Sequence, residues 1–194
     1  MFIRIAEERD IPRILEIYAP YVENTPWSFE YSVPSSSEFT ERFRNIAGSF
    51  PWLVCEEGDR VEGYAYASPA FSRAAYQWVC EDSIYLSPNF LHRGMGEKLY
   101  KCLEFLLKCQ GYTTVYAVIT SENEASVRFH ERMGFSFLAE FPRVGFKQGH
   151  WHGTKWLQKP LNSVEMPMDP PTSFPKLVDT DRMVRDYLDK LTLS

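Results

Sequence analysis

Glu81-Asp82-Ser83-Ile84-Tyr85-Leu86-Ser87-Pro88, continued after two residues by Leu91-His92-Arg93-Gly94-Met95-Gly96-Glu97-Lys98-Leu99, is the stretch from which the fold is read. An apolar run closed by Ser-Pro has the form of a buried strand, and the apolar spacing at Leu99, Leu103 and Leu106/Leu107 has the form of a helix. Arg93-Gly94-Met95-Gly96 is therefore a strand-to-helix turn. Glycines there let the backbone approach a ligand closely, and the unpaired N–H groups and positive dipole end of the first helical turn attract phosphate. This reads as a pyrophosphate cradle. A Walker loop, Gly-x-x-x-x-Gly-Lys-Ser/Thr, is not present, nor is a Rossmann Gly-x-Gly-x-x-Gly turn. A turn that merely caps the helix is the alternative.

On the N-terminal side of this stretch, Phe2-Ile3-Arg4-Ile5 reads as a first strand, and Asp10-Ile11-Pro12 as a helix start with Asp as cap and Pro in the first turn. Ile11, Ile14, Leu15 and Tyr18 mark its buried face, and Pro20 and Pro26 are expected to interrupt the chain beyond Tyr18. Ser35-Ser36-Ser37-Glu38 has the form of a capping box leading into a second helix. Trp52 to Cys55 and Val61 to Ala67, joined through Glu57-Gly58-Asp59, read as a hairpin. The remaining order is strand 79–86, helix 94–110, strand 113–119, helix 123–133 and strands near 136–147 and 150–158. Such an order builds a mixed α/β sheet. Beyond Leu161, Met166-Pro167-Met168-Asp169-Pro170-Pro171 and Phe174-Pro175 exclude regular helix or central strand. Met183, Val184, Tyr187, Leu188 and Leu191 then restore a helical period. The expected organisation is a domain over 1–161, a Pro-rich linker over 162–178 and an amphipathic helix over 179–194, either packed on its own domain or forming a dimer contact.

With 21 Lys and Arg against 26 Asp and Glu, interspersed and without a basic stripe, nucleic acid is excluded as the main partner. No apolar run approaches the ~20 residues of a membrane span, and Met1-Phe2-Ile3-Arg4 opens into a strand instead of a signal peptide. Cys55, Cys80, Cys102 and Cys109 lack CxxC spacing and sit in apolar patterns, which points to buried free thiols. The expected compartment is the cytoplasm.

Two motifs together resemble the GNAT superfamily of acyl-CoA-dependent N-acetyltransferases. The family's Gln/Arg-x-x-Gly-x-Gly/Ala signature is matched by Leu91 to Gly96, with Leu91 in place of Gln or Arg, and its Asn-x-x-Ser/Ala helix ending in Gly-Phe by Asn123 to Phe135. The likeness narrows to the phosphinothricin and methionine sulfoximine acetyltransferase branch through Pro51-Trp52-Leu53-Val54, Tyr76 to Glu81, Tyr85 to Pro88, Val127 to Glu131 and Gly145 to His152. It implies a GNAT fold: a mixed, mostly antiparallel central sheet with splayed central strands, flanked by helices. It also implies acetyl-CoA as co-substrate, with no metal, a small-molecule amine as acceptor, and a homodimer.

By that resemblance, His92, Arg93, Gly94, Met95, Gly96 and Glu97 grip the pyrophosphate, while Ile84, Tyr85 and Leu86 offer backbone groups to the pantetheine, the Leu86 N–H facing the oxyanion. Asn123 and Ser126 hold the cofactor by hydrogen bonds, Asn123 having the alternative of a helix cap. Glu81 matches the carboxylate that deprotonates the acceptor amine, directly or through water, since an amine of pKa ~10 is mostly protonated at neutral pH. Asp82 is its rival, pointed to the opposite face by strand alternation. His130 stands where many family members protonate the departing thiolate, with a packed histidine as its alternative.

For the acceptor, Arg73 resembles an arginine that grips its carboxylate, Phe29, Tyr31 and Tyr76 wall its side chain, and His152 lies near the pocket. Phosphinothricin enzymes often carry Arg where this chain has Glu30, so a phosphinate is repelled if Glu30 points inward. His150 and His152 share a strand face, but no third residue with metal-ligand spacing accompanies them, and His150 reads as structural. The rival functions are acetylation of peptide amines on the same fold and a non-catalytic acetyl-CoA-binding module.

Overall fold

The computed structural model describes residues 2–91, 93–164, 169–177 and 179–192; the expectations for His92, for Met166 to Met168 and for the Leu191 side chain lie outside that description. Seven strands form one sheet in the order β1-β2-β3-β4-β5-β7-β6. They are β1 (Phe2–Ile5), β2 (Trp52–Glu57), β3 (Arg60–Pro69), β4 (Val79–Leu86), β5 (Thr114–Thr120), β6 (Ser136–Lys147) and β7 (His150–Pro160). Among the described residues only the β4–β5 pairing is parallel, and it is short, covering Val79 to Glu81 against Thr114 to Tyr116. Beyond Glu81 the two central strands part. The mixed, mostly antiparallel sheet with splayed centre is the architecture expected from the sequence.

Helices α1 (Ile11–Asn24) and α2 (Ser36–Ala47) cover one face, and α3 (Met95–Gln110), α4 (Glu124–Arg132) and α5 (Thr180–Thr192) belong with the other. On the first face Trp52, Tyr64 and Tyr85 pack against Ile14, Tyr18 and Phe39; on the second Leu99, Leu103 and Leu106 pack against Ala65 and Val115. The α3 stripe is the one read from spacing. Ser35 caps α2 through a capping box with Glu38, an arrangement worth about 1 kcal/mol. Trp78 Nε1–H donates to the Asp169 carbonyl, Val184 of α5 is buried, and Tyr187 stacks on Phe105. No described helix is long and apolar enough to cross a membrane.

Three local expectations are corrected. Asp10 stands at the N-cap of α1 with Pro12 in the first turn, but its side chain makes no cap bond: its carboxylate takes the Arg4 guanidinium at 2.7 and 2.8 Å and the Glu7 N–H at 2.8 Å, a charge-assisted set stronger than a single cap bond. Pro20 does not interrupt the chain but lies inside α1, because burial of Val22 on the far side holds the last turn despite the lost hydrogen bond. Cys109 is exposed at the rim of the α3 stripe, whereas Cys55, Cys80 and Cys102 are buried; all four are free thiols.

Candidate active site

The site begins where β4 and β5 separate. Ser87 N–H donates to the Glu62 carbonyl at 2.8 Å, and Gly63 stands opposite Leu86. In an antiparallel ladder that register turns the N–H and C=O of Asp82, Ile84 and Leu86 away from β3, toward the gap left by β5. The Leu86 carbonyl accepts the Tyr21 hydroxyl at 2.6 Å. Gly94 then starts α3 with φ +76°, a left-handed turn that glycine adopts without strain, and no protein atom lies within 4 Å of where a Cβ would project. The first N–H groups of α3 are thereby presented beside the gap. An exposed main chain on β4 next to a helix N-terminus fits the pantetheine and pyrophosphate of acetyl-CoA.

These elements line a cavity of about 650 Å³. Ile84, Tyr85, Leu86, Gly94, Met95, Gly96 and Glu97 line it from the cradle, and Asn123 and Ser126 from α4. Asn123 Oδ1 accepts the Ser126 N–H at 3.2 Å, so this side chain caps α4. Arg93 is turned outward, paired with Glu57 at 3.3 Å and laid over the Phe90 ring.

Glu81 and Asp82 face opposite sides of β4, as alternation requires. Glu81 lines the cavity, and burial, then the neighbouring Asp82 charge, pushes its carboxyl up to about 7. Asp82 also lines the cavity but turns to the α4 side, where its Oδ2 lies 3.2 Å from Nε2 of His130, itself a lining residue. His130 Nδ1 lies 2.8 Å from the Ser126 carbonyl. Burial works against charge on this imidazole, but the Asp82 charge and hydrogen bond and the Ser126 carbonyl outweigh it and raise its pKa.

The other end of the cavity is assembled from distant segments. Phe29 and Glu30 line the cavity, and Glu30 is paired with Arg42 at 2.7 Å. The Phe29 ring lies on Gly145, where a Cβ would come within 2.4 Å of it. Lys147, buried, donates to the Val22 and Ser28 carbonyls at 2.6 Å each, and the Tyr31 hydroxyl to the Phe146 carbonyl at 2.7 Å. Together they fasten the loop after α1 to the β6–β7 hairpin. Nothing in the sequence spacing marked Lys147, Tyr21 or Ser28, because their partners lie tens of residues away.

Tyr31, Arg73, Tyr76 and His152 are not among the residues lining the cavity. Arg73 and Tyr76 are exposed on the β3–β4 loop; His152 lies with its Nδ1 3.0 Å from the Glu122 carboxylate and its Nε2 3.2 Å from the Lys147 carbonyl. His150 is exposed, and no cluster of metal-ligating residues occurs among the described residues.

Comparison with known proteins agrees with this geometry. A family profile described as an acetyltransferase (GNAT) domain matches residues 3–156. Phosphinothricin N-acetyltransferase of Streptomyces viridochromogenes is 32% identical over 168 residues, 87% of this chain and 90% of that one. The L-methionine sulfoximine/L-methionine sulfone acetyltransferase of Salmonella typhimurium is 32% identical over 86% of this chain and 98% of its own. The crystal structure of a phosphinothricin acetyltransferase from Sinorhizobium meliloti in complex with acetyl-CoA superposes with a TM-score of 0.82 at 34% identity, over 89% of this chain and 97% of that one. With the opened β4–β5 pair and the α3 turn arranged for the same ligand, the chain belongs to the GNAT family of acetyl-CoA-dependent N-acetyltransferases.

Proposed function

We propose that the chain acetylates the α-amine of a small amino-acid-like compound, of the methionine sulfoximine, methionine sulfone or phosphinothricin type, by direct attack in a ternary complex. The observation that carries this reading is Glu81, a carboxyl that lines the cavity at the point where the strands part and whose pKa of about 7 suits proton removal at neutral pH. Acetyl-CoA supplies an activated thioester. Glu81 takes the amine proton, directly or through water, as the amine nitrogen bonds to the thioester carbon, and the Leu86 N–H faces the oxygen on which negative charge develops; collapse of the adduct breaks the C–S bond, and the CoA thiolate leaves and takes up the proton that Glu81 releases through solvent. His130 supplies positive charge from the opposite side of β4. Asn123 and Ser126 bound the cofactor at the start of α4.

Phe29 walls the acceptor's side chain, with Tyr31 and His152 supporting the wall from behind. Arg73 is the partner for its carboxylate, on the loop with Tyr76 that leaves the sheet after Pro69, one residue beyond Ser68, the residue opposite Glu81. Glu30 faces the cavity with its charge matched by Arg42, and Lys147, the other cation near Glu30, is turned to the Val22 and Ser28 carbonyls and is not among the lining residues, so among the described residues neither cation is offered to an acidic side chain. Neutral acceptors such as methionine sulfone are therefore preferred over phosphinothricin. The 1–161 domain carries this activity, and the segments after it, linker and helix, brace it. Four free thiols support a cytoplasmic setting, and exposed Phe137, Phe141, Phe146 and Trp151 on the outer hairpin support a homodimer.

The test is thiol release from acetyl-CoA with methionine sulfoximine, methionine sulfone, phosphinothricin, ordinary amino acids and short peptides. Turnover of the sulfone at a kcat/KM at least several-fold above phosphinothricin is the expected result. Turnover of peptides alone, or acetyl-CoA binding without any turnover, rejects the reading.

A further inference from the structure

Asp82 takes no part in the proton transfer assigned to Glu81, yet it is the most thoroughly enclosed charge at the site. Its side chain has 0% exposure and that of its partner His130 5%. Burying a carboxylate this deeply is costly unless the charge is matched, and the match here is incomplete: Oδ2 meets His130 Nε2, while Oδ1 has no hydrogen-bond partner. A carbonyl oxygen only accepts, so the contact of His130 Nδ1 with the Ser126 carbonyl places a proton on Nδ1. A carboxylate likewise only accepts, so the contact on the other nitrogen completes an imidazolium with both N–H groups engaged.

We infer that Asp82 is a positioning residue serving both faces of β4: its fixed negative charge holds His130 as a cation against α4 and, across the strand, opposes a second negative charge on Glu81. The inference rests on Glu81 being the base of the proposed reaction. The consequence is that the base and the cation are not independent. Removing the Asp82 charge makes Glu81 easier to ionise and His130 easier to discharge, so both titrations move to lower pH together.

Among the described residues the surroundings add no competing ion. His130 is faced from β4 by Asp82, from α3 by the Tyr100 ring, from its own helix by Ser126 and Phe129, and from the turn after α4 by Phe135. The buried Tyr100 hydroxyl has no hydrogen-bond partner, and the far side of that ring is covered by Lys159, itself paired with Glu104. Glu81 is faced by Asp82 and by Tyr66 of β3, with Ser68 opposite it on β3 and Tyr116 on β5, and the buried Cys80 thiol, held neutral by burial and by the two carboxylates, precedes it on β4. Among the described residues Asp82 is thus the one charge that reaches both.

The experiment is NMR titration of the His130 imidazole and the Glu81 carboxyl in the full-length protein and in Asp82→Asn, with His130→Gln to assign the imidazole signals. In the unmodified protein His130 is expected to stay charged above the pH at which a free histidine loses its proton. In Asp82→Asn both midpoints are expected to fall, each by about 1 pH unit, and the acidic limb of kcat/KM to move down with Glu81. A neutral His130 at pH 6.5 in the unmodified protein overturns the inference even if the variant does not fold. An unmoved Glu81 midpoint in a folded Asp82→Asn protein overturns it as well. The titrations need no turnover, so a failure to acetylate any amine counts against the proposed reaction while these readings still decide the role of Asp82.

Discussion

The two ends of the cavity are built in opposite ways. The end proposed for the cofactor comes from one continuous stretch, β4 through the first turn of α3, and its geometry is local: a left-handed Gly94, a helix N-terminus and a strand whose main chain faces a gap. The acceptor end comes from loops and strand ends more than a hundred residues apart, joined by Lys147 to the Val22 and Ser28 carbonyls and by Phe29 against Gly145. Backbone geometry suits a co-substrate whose pyrophosphate needs only N–H groups, whereas acceptor choice needs side chains brought from afar. Substitutions at one end are therefore expected to leave the other end's binding unchanged, and Glu81 sits where they meet.

Glu81→Gln is expected to have the largest effect. Loss of a general base costs roughly 10²- to 10⁴-fold in kcat/KM, and the acidic limb near pH 7 should disappear while acetyl-CoA affinity holds. An unchanged pH–rate profile removes Glu81 as base. The same change is expected to stabilise the protein in alkali. The folded-state pKa of Glu81 is raised above its unfolded value, so the folded state holds the extra proton between about 4.5 and 7; the carboxyl's destabilisation grows as pH rises through that window and is complete above it. Discounted for partial exposure, the gain at pH 8 is about 2 kcal/mol and vanishes near pH 4. Denaturant unfolding at the two pH values checks the sign.

Gly145→Ala should act on the acceptor end alone. A Cβ there would lie 2.4 Å from the Phe29 ring, and the ring has to move because the opposing atoms are the strand itself. Displacing one wall of a small pocket is expected to raise the acceptor KM about tenfold, the equivalent of about 1.4 kcal/mol, with the acetyl-CoA dissociation constant unmoved. Equal losses at both ends would break the division between them.

That division also explains what the sequence made legible. Strand 79–86, the helix after Gly94 and the capping box at Ser35 depend on neighbours within a few residues, and each formed where its pattern placed it. Pro20 was misleading because the cost of a missing hydrogen bond is local while the burial that outweighs it, at Val22, is tertiary. Asp10 was misleading because Arg4, on another element, outcompetes a cap. At the site, Glu81 and Asp82 were separated correctly by alternation alone, but the His130 partner of Asp82 lies 48 residues along the chain, and the Lys147 contacts 119 and 125 away. No short-range pattern encodes such pairs.

The smallest effect tests the cofactor end. Gly94→Ala places a side chain at φ +76°, where no protein atom obstructs it, so the cost is the conformation itself, about 1 kcal/mol. If the turn keeps its shape, the added methyl projects into the open space beside the turn, which the proposed cofactor placement gives to the pyrophosphate, and acetyl-CoA binding is expected to weaken. If the turn relaxes to negative φ, the first N–H groups of α3 rotate away, with the same result. Either route gives a roughly fivefold rise in the acetyl-CoA dissociation constant, close to the strain converted at RT per e-fold, with the ratio of methionine sulfone to phosphinothricin turnover held. Calorimetry with acetyl-CoA measures the first quantity and the thiol-release panel the second. A shifted acceptor ratio with unshifted cofactor binding would mean that the α3 turn belongs to the acceptor end, which the separate origin of the Phe29 and Gly145 wall argues against.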